Sequence, residues 1–211
     1  MPLVLPRLYV ILDASLLSSG ELDSARILAE TGVRLVQYRA KSLSVRAQVE
    51  ASSRLAGYFS AEKITFVVND RADIALLAGA DGVHLGQEDL SVDDARTVLG
   101  PGKIIGVSTH NLEQVRRAAD TSADYIAVGP VFPTATKANP DPVTGLELVR
   151  RARELTKKPI VAIGGIRLET AASVLAAGAD SIAVISDIWR ALDPRARIAE
   201  YQRLLAASAA A

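Results

Sequence analysis

Eight short, almost wholly apolar runs recur along this 211-residue chain, separated by amphipathic segments, and this alternation constrains the fold more than any other feature. Runs that are continuously apolar, instead of apolar at every second position, are typical of parallel strands covered on both faces. The segments between them carry apolar residues every three or four positions, which predicts helices. The predicted strands span residues 8–12, 34–38, 64–69, 82–85, 104–107, 125–128, 160–163 and 181–185.

Eight strand–helix units predict an α/β fold, a (β/α)8 TIM barrel, with residues 1–211 forming a single domain. A weak internal repeat supports this prediction, because the sequence AGAD joins a helix end to a strand start at residues 78–81 and again at 177–180. An open doubly wound sheet is the alternative. It is disfavoured because no Gly-x-Gly-x-x-Gly opens a helix after any predicted strand.

Composition narrows the possible classes of function. Apolar residues make up 49% of the chain and charged residues 23%, which is enough for a sizeable core. The formal net charge of zero offers no basic field for nucleic acid or a membrane surface, and the absence of cysteine excludes disulfides, thiolate catalysis and zinc–thiolate sites. The N-terminal segment lacks the pattern of a signal peptide and no run is long enough to span a membrane, so we expect a soluble cytoplasmic protein.

Two carboxylates follow neighbouring predicted strands. Asp70 ends the run FVVND and Asp89 ends the run VHLGQED. Because adjacent parallel strands end at the same edge, the pair predicts a site for Mg²⁺, which takes one or two protein carboxylates and completes its shell with water and phosphate oxygens. Taken singly, each acid could instead lie at a helix start. His84, inside the fourth predicted strand, is expected to be packed or hydrogen-bonded, and His110 to be a surface or supporting residue.

Cations lie close to this edge. Gln37, Arg39 and Lys41 alternate along the chain, so their side chains share one face if the second strand persists. Two cations on one face predict a site for a strongly anionic group, and a salt-bridged layer inside the barrel is the alternative. Lys137 adds a cation in segment 129–145, which is long for a connection of this kind and predicts a lid.

A second anion site is predicted at the far side of the barrel. Gly164 and Gly165 follow the seventh predicted strand, and Ser186 follows the eighth. Backbone N–H groups at these two strand ends commonly hold a phosphate in this fold, although a tight turn alone would also explain the glycines. Together the two sites suggest an enzyme for two phosphorylated substrates.

Several motifs resemble the thiamine phosphate synthase family, in order and at the family's spacing, from about residue 8 to about residue 191. They are QYRAK (37–41), FVVNDRADIALLAGADGVHLGQEDL (66–90), GVSTHN (106–111), GPVFPTATK (129–137), VAIGGI (161–166) and AVIS (183–186). The resemblance implies a transferase that joins a hydroxymethylpyrimidine diphosphate to a hydroxyethylthiazole phosphate and releases pyrophosphate. It also implies Mg²⁺ as cofactor and a dissociative mechanism, in which pyrophosphate leaves before the thiazole nitrogen captures a pyrimidine cation.

The resemblance also implies which residues of this sequence form the site. The metal ligands would be Asp70 and Asp89, and the cations that take up charge on the leaving diphosphate would be Arg39, Lys41 and Lys137. The pyrimidine diphosphate would be held by Gln37, Tyr38, Arg39, Ala40, Lys41, Asn69, Ser108 and Lys137, and the thiazole phosphate by Thr134, Ala135, Thr136, Gly165, Ile185 and Ser186.

Two features depart from the family's pattern. Ala40 stands where many members have Glu, which removes a possible partner for the neighbouring cations, and residues 138–145 differ from the commoner lid sequences. Two other functions stay open. A thiazole tautomerase shares the barrel and the thiazole phosphate site but would not need both Asp70 and Asp89, and a silent phosphate-binding barrel would need no metal carboxylates. The expected partners are small molecules, and the oligomeric state is open.

Overall fold

The computed structural model describes residues 3–134 and 141–207, and its eight parallel strands close into a barrel in the order β1 to β8. Each strand pairs with the next along the chain, and β8 pairs with β1. The strands are β1 (Leu8–Asp13), β2 (Leu35–Arg39), β3 (Thr65–Asn69), β4 (Gly82–Leu85), β5 (Ile104–Thr109), β6 (Tyr125–Val128), β7 (Ile160–Ile163) and β8 (Ser181–Val184). The predicted (β/α)8 TIM barrel is therefore confirmed, with strand ends within two residues of those predicted.

Helices cover the outside of the barrel. They begin after each strand because the chain must return to the opposite edge before it can add the next parallel strand. The helices are α1 (Glu21–Glu30), α2 (Val45–Ala61), α3 (Ala72–Ala78), α4 (Val92–Leu99), α5 (Leu112–Ala119), α6 (Gly145–Leu155), α7 (Leu168–Ala176), α8 (Ser186–Trp189) and α9 (Pro194–Ala207). None of the helices within the described ranges combines the length and the apolar character needed to cross a membrane.

Strand side chains alternate between the helix layer and the barrel interior. The larger apolar cluster packs between strands and helices, whereas a small one fills the barrel itself. The fully enclosed members of the inner cluster are Tyr9, Ile11, Leu35, Val67, Tyr125, Ala127, Val161 and Ala183. Polar side chains occupy the same inward-facing positions nearer the carboxyl ends of the strands, so this end of the barrel is the polar one.

The two AGAD corners, together with the similar corner SAD at residues 122–124, form a recurring clamp between neighbouring strands. Three aspartates share one place in the fold: Asp81, Asp124 and Asp180 each lie directly before the first residue of a strand, in the turn that follows a helix. Each binds one residue at the start of the preceding strand twice, once through its own backbone N–H and once through a carboxylate oxygen. The carboxylate oxygens accept the N–H of Phe66 at 2.8 Å, of Ile105 at 2.8 Å and of Ile160 at 2.7 Å, respectively. The clamp recurs at the β3–β4, β5–β6 and β7–β8 pairs.

We expect Asp81→Ala to destabilise the barrel by about 1–2 kcal/mol, because it leaves the Phe66 N–H without its acceptor. For a chain of this size that loss lowers Tm by a few degrees, measurable by thermal denaturation. Asp81→Asn is the matched control, since its amide oxygen keeps an acceptor while the charge is removed. Equal losses in the two variants would contradict the hydrogen-bond explanation.

Candidate active site

A buried ion pair joins the carboxyl ends of β1 and β2. A guanidinium nitrogen of Arg39 lies 2.5 Å from Oδ2 of Asp13, and the two residues are register partners. Ser15 donates to the other carboxylate oxygen from its backbone N–H at 3.0 Å and its hydroxyl at 2.6 Å. Guanidinium carries five N–H donors, so this pairing orients Arg39 without exhausting its capacity to bind an anion. Asp13 is not among the residues predicted for the site, and its place at the end of the apolar run LYVILD is only a weak signal in the sequence.

Lys41, Asp70 and Asp89 converge where β2, β3 and β4 end. Lys41 Nζ lies 2.9 Å from Oδ2 of Asp70. Asp89 is close enough to Asp70 for a direct side-chain interaction, and its Oδ2 accepts the backbone N–H of Gly86 at 2.6 Å. The structure thus brings together the two carboxylates predicted to share one edge of the sheet, with a cation beside them.

Neither carboxylate serves as a helix cap. Helix α4 is capped by the Ser91 hydroxyl, which accepts the Asp94 N–H, and α3 begins after Arg71 with no side-chain cap. Asp70 instead adopts the left-handed backbone conformation, with φ of 65°, and its N–H donates to the His84 carbonyl at 2.7 Å. Such a conformation is uncommon outside glycine and collects at functional sites, although Asp tolerates it better than most residues.

The electrostatics of this pair favour a bound cation. Burial raises the pKa of Asp89, the negative charge of Asp70 raises it further, and the Gly86 N–H and Lys41 oppose the shift. Ionised Asp70 and Asp89 therefore repel each other, and a divalent cation relieves that repulsion. Across residues 3–134 and 141–207 no three His, Cys, Asp or Glu side chains form a metal cluster. A site with only two carboxylates suits Mg²⁺, which keeps several waters and substrate oxygens in its shell.

A chain of hydrogen-bonded polar side chains crosses the barrel interior, beneath the strand ends that carry the two carboxylates. Gln37 contacts Tyr9, Tyr9 contacts Tyr125, and Tyr125 contacts His84, which in turn contacts Ser108. The expectation that His84 is a hydrogen-bonded interior histidine is confirmed. Burial raises the pKa of Tyr9 to about 12 and raises that of Tyr125 as well, so both phenols stay protonated at neutral pH. The chain connects Gln37 and Ser108, which belong to the predicted site but lie on different strands.

The alternation of β2 divides the predicted segment 37–41 between two environments. Gln37 is fully buried in the interior network, whereas Tyr38 and Ala40 lie in the apolar layer between strands and helices. The Tyr38 hydroxyl donates to Glu21 of α1 at 3.0 Å, and burial together with the Glu21 charge raises the pKa of Tyr38. Tyr38 and Ala40 therefore reach the strand-end face through their backbone alone.

Asn69 ends β3 and is half-buried beside Asp70. It is the register partner of His84, so its position lies next to the interior network as well as next to the carboxylate pair. Asn69 therefore lies between the interior network and the carboxylate pair.

The connection after β6 is anchored to the end of β7. Phe132 donates its N–H to the Gly164 carbonyl at 3.0 Å. Gly165 has φ of 64°, and a Cβ there would lie 2.4 Å from the Pro133 carbonyl oxygen. Only glycine fits this position, so Gly165 has a packing role as well as its predicted place at a phosphate site.

The predicted lid falls partly outside the described residues. Thr134 is half-buried and follows the anchored segment, whereas Ala135, Thr136 and Lys137 lie outside the described residues. The base of the connection is held by Thr144, whose N–H and hydroxyl both bond the Pro130 carbonyl, at 2.8 and 3.1 Å.

His110 also contacts both ends of this connection. Its Nδ1 donates to the Gly129 carbonyl at 2.6 Å, and its Nε2 lies 3.4 Å from Oδ2 of Asp141. His110 thus supports the connection from β5, in agreement with the supporting role expected from the sequence.

Ile185 and Ser186 lie where β8 passes into the short helix α8. Ile185 packs against the inner apolar cluster, and Ser186 is the first helical residue. The orientation of α8 is set by its neighbours: Asp187 accepts the Tyr201 hydroxyl at 2.8 Å, and the Trp189 indole donates to the Ile11 carbonyl at 2.8 Å. Ser186 is therefore held at the same end of the barrel as Gly165.

Comparison with known proteins identifies the family. The profile of the thiamine monophosphate synthase family matches residues 8–188. The chain belongs to this family. The thiamine-phosphate synthase of Koribacter versatilis is 48% identical over 208 residues, 96% of this chain and 97% of the relative, and that of Myxococcus xanthus is 44% identical over 90% of this chain and 88% of the relative. A solved thiamine phosphate pyrophosphorylase from Pyrococcus furiosus superposes with a TM-score of 0.87 at 38% identity, covering 96% of both chains.

Membership of the thiamine monophosphate synthase family establishes the protein as a transferase of thiamine biosynthesis. It confirms the resemblance found in the sequence motifs. Enzymes of this fold bind their substrates at the carboxyl ends of the strands. This explains why acids, cations and tight backbone turns are concentrated at that end of the barrel.

We expect Asp89→Asn to stabilise the protein slightly when divalent cations are chelated. Folding raises the Asp89 pKa, so at neutral pH its ionised form costs stability, and a neutral amide removes that cost while keeping an acceptor for the Gly86 N–H. One partly exposed charge contributes under about 1 kcal/mol, so Tm should rise by about 1–2 °C in EDTA. Glu88→Gln, on an exposed neighbour, is the control and should not change Tm. A lower Tm for Asp89→Asn would contradict repulsion between the two acids.

Proposed function

We propose that this family member joins 4-amino-2-methyl-5-hydroxymethylpyrimidine diphosphate to 4-methyl-5-(2-hydroxyethyl)thiazole phosphate, forming thiamine phosphate and releasing pyrophosphate in a Mg²⁺-dependent reaction. The observation that carries the proposal is the convergence of Lys41 with Asp70 and Asp89 at the ends of β2, β3 and β4. A paired-carboxylate site beside a cation suits a metal-bound diphosphate. We further propose that the single barrel domain performs the whole reaction.

The substrates are proposed to bind on opposite sides of the barrel mouth. The pyrimidine diphosphate would contact the segment from Gln37 to Lys41, together with Asn69, Ser108 and Lys137. The thiazole phosphate would contact the segment from Thr134 to Thr136, together with Gly165, Ile185 and Ser186. For Ala135, Thr136 and Lys137 the proposal rests on the sequence resemblance alone. Gln37 lies within β2 and Thr134 in the connection after β6, and for the other residues the proposal is supported by their positions at or just after the carboxyl ends of the strands.

Asp70 and Asp89 would hold the Mg²⁺, which when bound would neutralise charge on the diphosphate and make it a better leaving group. Arg39 would present its remaining N–H groups to the same anion while Asp13 keeps the guanidinium oriented. Lys41 contacts Asp70 at 2.9 Å in the structure and would add its charge to the leaving oxygens.

The proposed reaction is dissociative. The bond between the pyrimidine methylene carbon and the diphosphate oxygen breaks first, and its electron pair leaves with pyrophosphate. The lone pair of the thiazole nitrogen then forms the new carbon–nitrogen bond with the pyrimidine-stabilised cation. No general base is needed because the attacking nitrogen carries no proton. Exclusion of water by the connection after β6 would protect the cation from hydrolysis.

The proposed partners are these two small molecules, and neither nucleic acid nor a membrane has a part in the reaction. The cytoplasm is the proposed compartment, which agrees with a chain that contains no cysteine. Association between copies of the chain is not required by the proposed chemistry.

The direct test is to incubate the purified protein with both phosphorylated precursors and Mg²⁺. Thiamine phosphate and pyrophosphate should form in equal amounts, and EDTA should stop the reaction. Conversion of a thiazole precursor without condensation would instead favour the tautomerase alternative, and no product of either kind would reject both.

We expect Asp70→Asn to lower turnover by roughly 100-fold or more, with partial recovery at high Mg²⁺, because one of two metal carboxylates is lost. A Mg²⁺ titration of initial rates measures this. Asp93→Asn is the matched control, since Asp93 is an exposed acid in the first turn of α4. Rates for Asp70→Asn that match the control at every Mg²⁺ concentration would remove Asp70 from the metal site.

We expect Gly165→Ala to weaken binding of the thiazole phosphate, because the new Cβ would displace the Pro133 carbonyl that lies 2.4 Å away. KM for this substrate should rise by roughly tenfold, more than KM for the pyrimidine diphosphate. Gly79→Ala is the matched control: Gly79 has φ of 72° but nothing within 4 Å of its Cβ position, so it carries similar backbone strain of about 1 kcal/mol without the collision. Equal effects of both variants on KM would contradict a local role for Gly165.

A further inference from the structure

The polar chain inside the barrel is continuous and almost completely buried. Gln37 Nε2 donates to the Tyr9 hydroxyl at 2.9 Å, and the Tyr9 and Tyr125 hydroxyl oxygens are 3.0 Å apart. The Tyr125 oxygen lies 2.9 Å from His84 Nδ1, and His84 Nε2 lies 2.9 Å from Ser108 Oγ. The first four side chains are buried, whereas Ser108 is half-buried and opens toward the end of the barrel that carries the site.

The neighbouring strands are shaped to hold this chain. His84, Gly106 and Tyr125 are successive register partners across β4, β5 and β6. A Cβ on Gly106 would lie 2.0 Å from Cζ of Tyr125, so the glycine leaves the room that the tyrosine ring occupies. The ring stacks on His84 at a centroid distance of 5.6 Å and an interplanar angle of 20°. Both ends of the Tyr125–His84 contact are therefore fixed by packing.

The direction of each hydrogen bond in this network follows from Gln37, at one end of it. In the orientation that the structure gives the Gln37 amide, its Nε2 donates to the Tyr9 oxygen, so Tyr9 has its own proton left to give. If Tyr9 gives it to Tyr125, then Tyr125 gives its proton to His84 Nδ1, and every buried proton has an acceptor. In the opposite order, His84 Nδ1–H would donate to Tyr125 and Tyr125 to Tyr9. The Tyr9 proton would then have no acceptor within this hydrogen-bonded network, which is unfavourable for a buried hydroxyl.

We propose that this chain of hydrogen bonds holds His84 in the tautomer that is protonated on Nε2, and thereby makes Ser108 a hydrogen-bond donor to the diphosphate substrate. Because Nε2–H donates to Ser108 Oγ, the serine proton is left to point out of the network toward an anionic oxygen. In the other tautomer Ser108 would give its proton to His84 and present only lone pairs to the anion. Tyr9, Tyr125 and His84 are thus positioning residues that act through Ser108. The proposal rests on the proposed function for the identity of the anion.

The tautomer can be measured without any substrate. The chain contains two histidines, so a long-range ¹H–¹⁵N correlation spectrum of ¹⁵N-histidine-labelled protein at neutral pH should show two imidazole patterns, with His110→Gln assigning them. We expect His84 to carry its proton on Nε2, with Nδ1 unprotonated. A proton on Nδ1, or on both nitrogens, would overturn the proposal. This measurement does not depend on turnover, so its result is independent of whether the protein catalyses the synthase reaction.

Steady-state kinetics test whether Tyr125 and His84 affect substrate binding through Ser108. Tyr125→Phe removes the hydroxyl that orients His84 and should raise KM for the pyrimidine diphosphate by roughly 5- to 10-fold, with little change in KM for the thiazole phosphate. In a Ser108→Ala background the same substitution should have almost no further effect on that KM, because the group through which it acts is gone. Tyr58→Phe, which removes the hydroxyl of a partly buried tyrosine on the outer helix α2, is the control and should leave this KM unchanged.

The double-mutant cycle separates positioning from general support of the fold. A structural role alone predicts that Tyr125→Phe and Ser108→Ala add, with both Michaelis constants or the folded fraction changing together. Additive effects on KM for the pyrimidine diphosphate would overturn the proposal, as would a Tyr125→Phe variant with an unchanged KM. If the wild-type protein forms no thiamine phosphate, the proposed function fails, while the histidine spectrum still decides the tautomer.

Discussion

Closure of the barrel is the constraint on which the rest of the structure depends. Once β8 pairs with β1, every second strand residue points into an enclosed space with no access to bulk water at its centre. Polar groups placed there have to bond one another, because an unpaired buried donor or acceptor is costly. Tyr9, Tyr125 and His84 satisfy this requirement as a chain, and Gly106 makes the chain possible by leaving space for a ring.

The same closure concentrates charge at one rim. Eight parallel strands end on the same side, so residues distant in sequence meet there: Asp13 with Arg39, and Lys41 with Asp70. Each cation is held by an acid, yet neither contact uses all the bonding capacity of its partners. The result is a set of charged groups oriented in advance for an anion and a metal ion. Repulsion between Asp70 and Asp89 is the cost in stability of that arrangement.

Much of this organisation could be predicted from the sequence. Continuous apolar runs indicate parallel strands, and strand ends indicate where polar residues gather, so Asp70 and Asp89 could be paired without coordinates. Asp13 was missed because one acid after an apolar run is ordinary until Arg39 is seen beside it. The interior network was missed because Tyr9 and Tyr125 resemble ordinary core aromatics in sequence, and their hydroxyl partners lie on other strands. Helix α8 is too short to show a periodic pattern.

The sequence by itself determined the order and type of the elements, because hydrophobic periodicity reports local exposure and the motifs are local in the chain. It also determined the family. Only the tertiary structure decided which residues share an environment: it separates Tyr38 from Gln37 by the strand's alternation, and it joins Gln37 to Ser108 through three other strands. Contacts of this kind depend on register and on barrel closure, which are properties of the whole chain and leave no signal within any one segment.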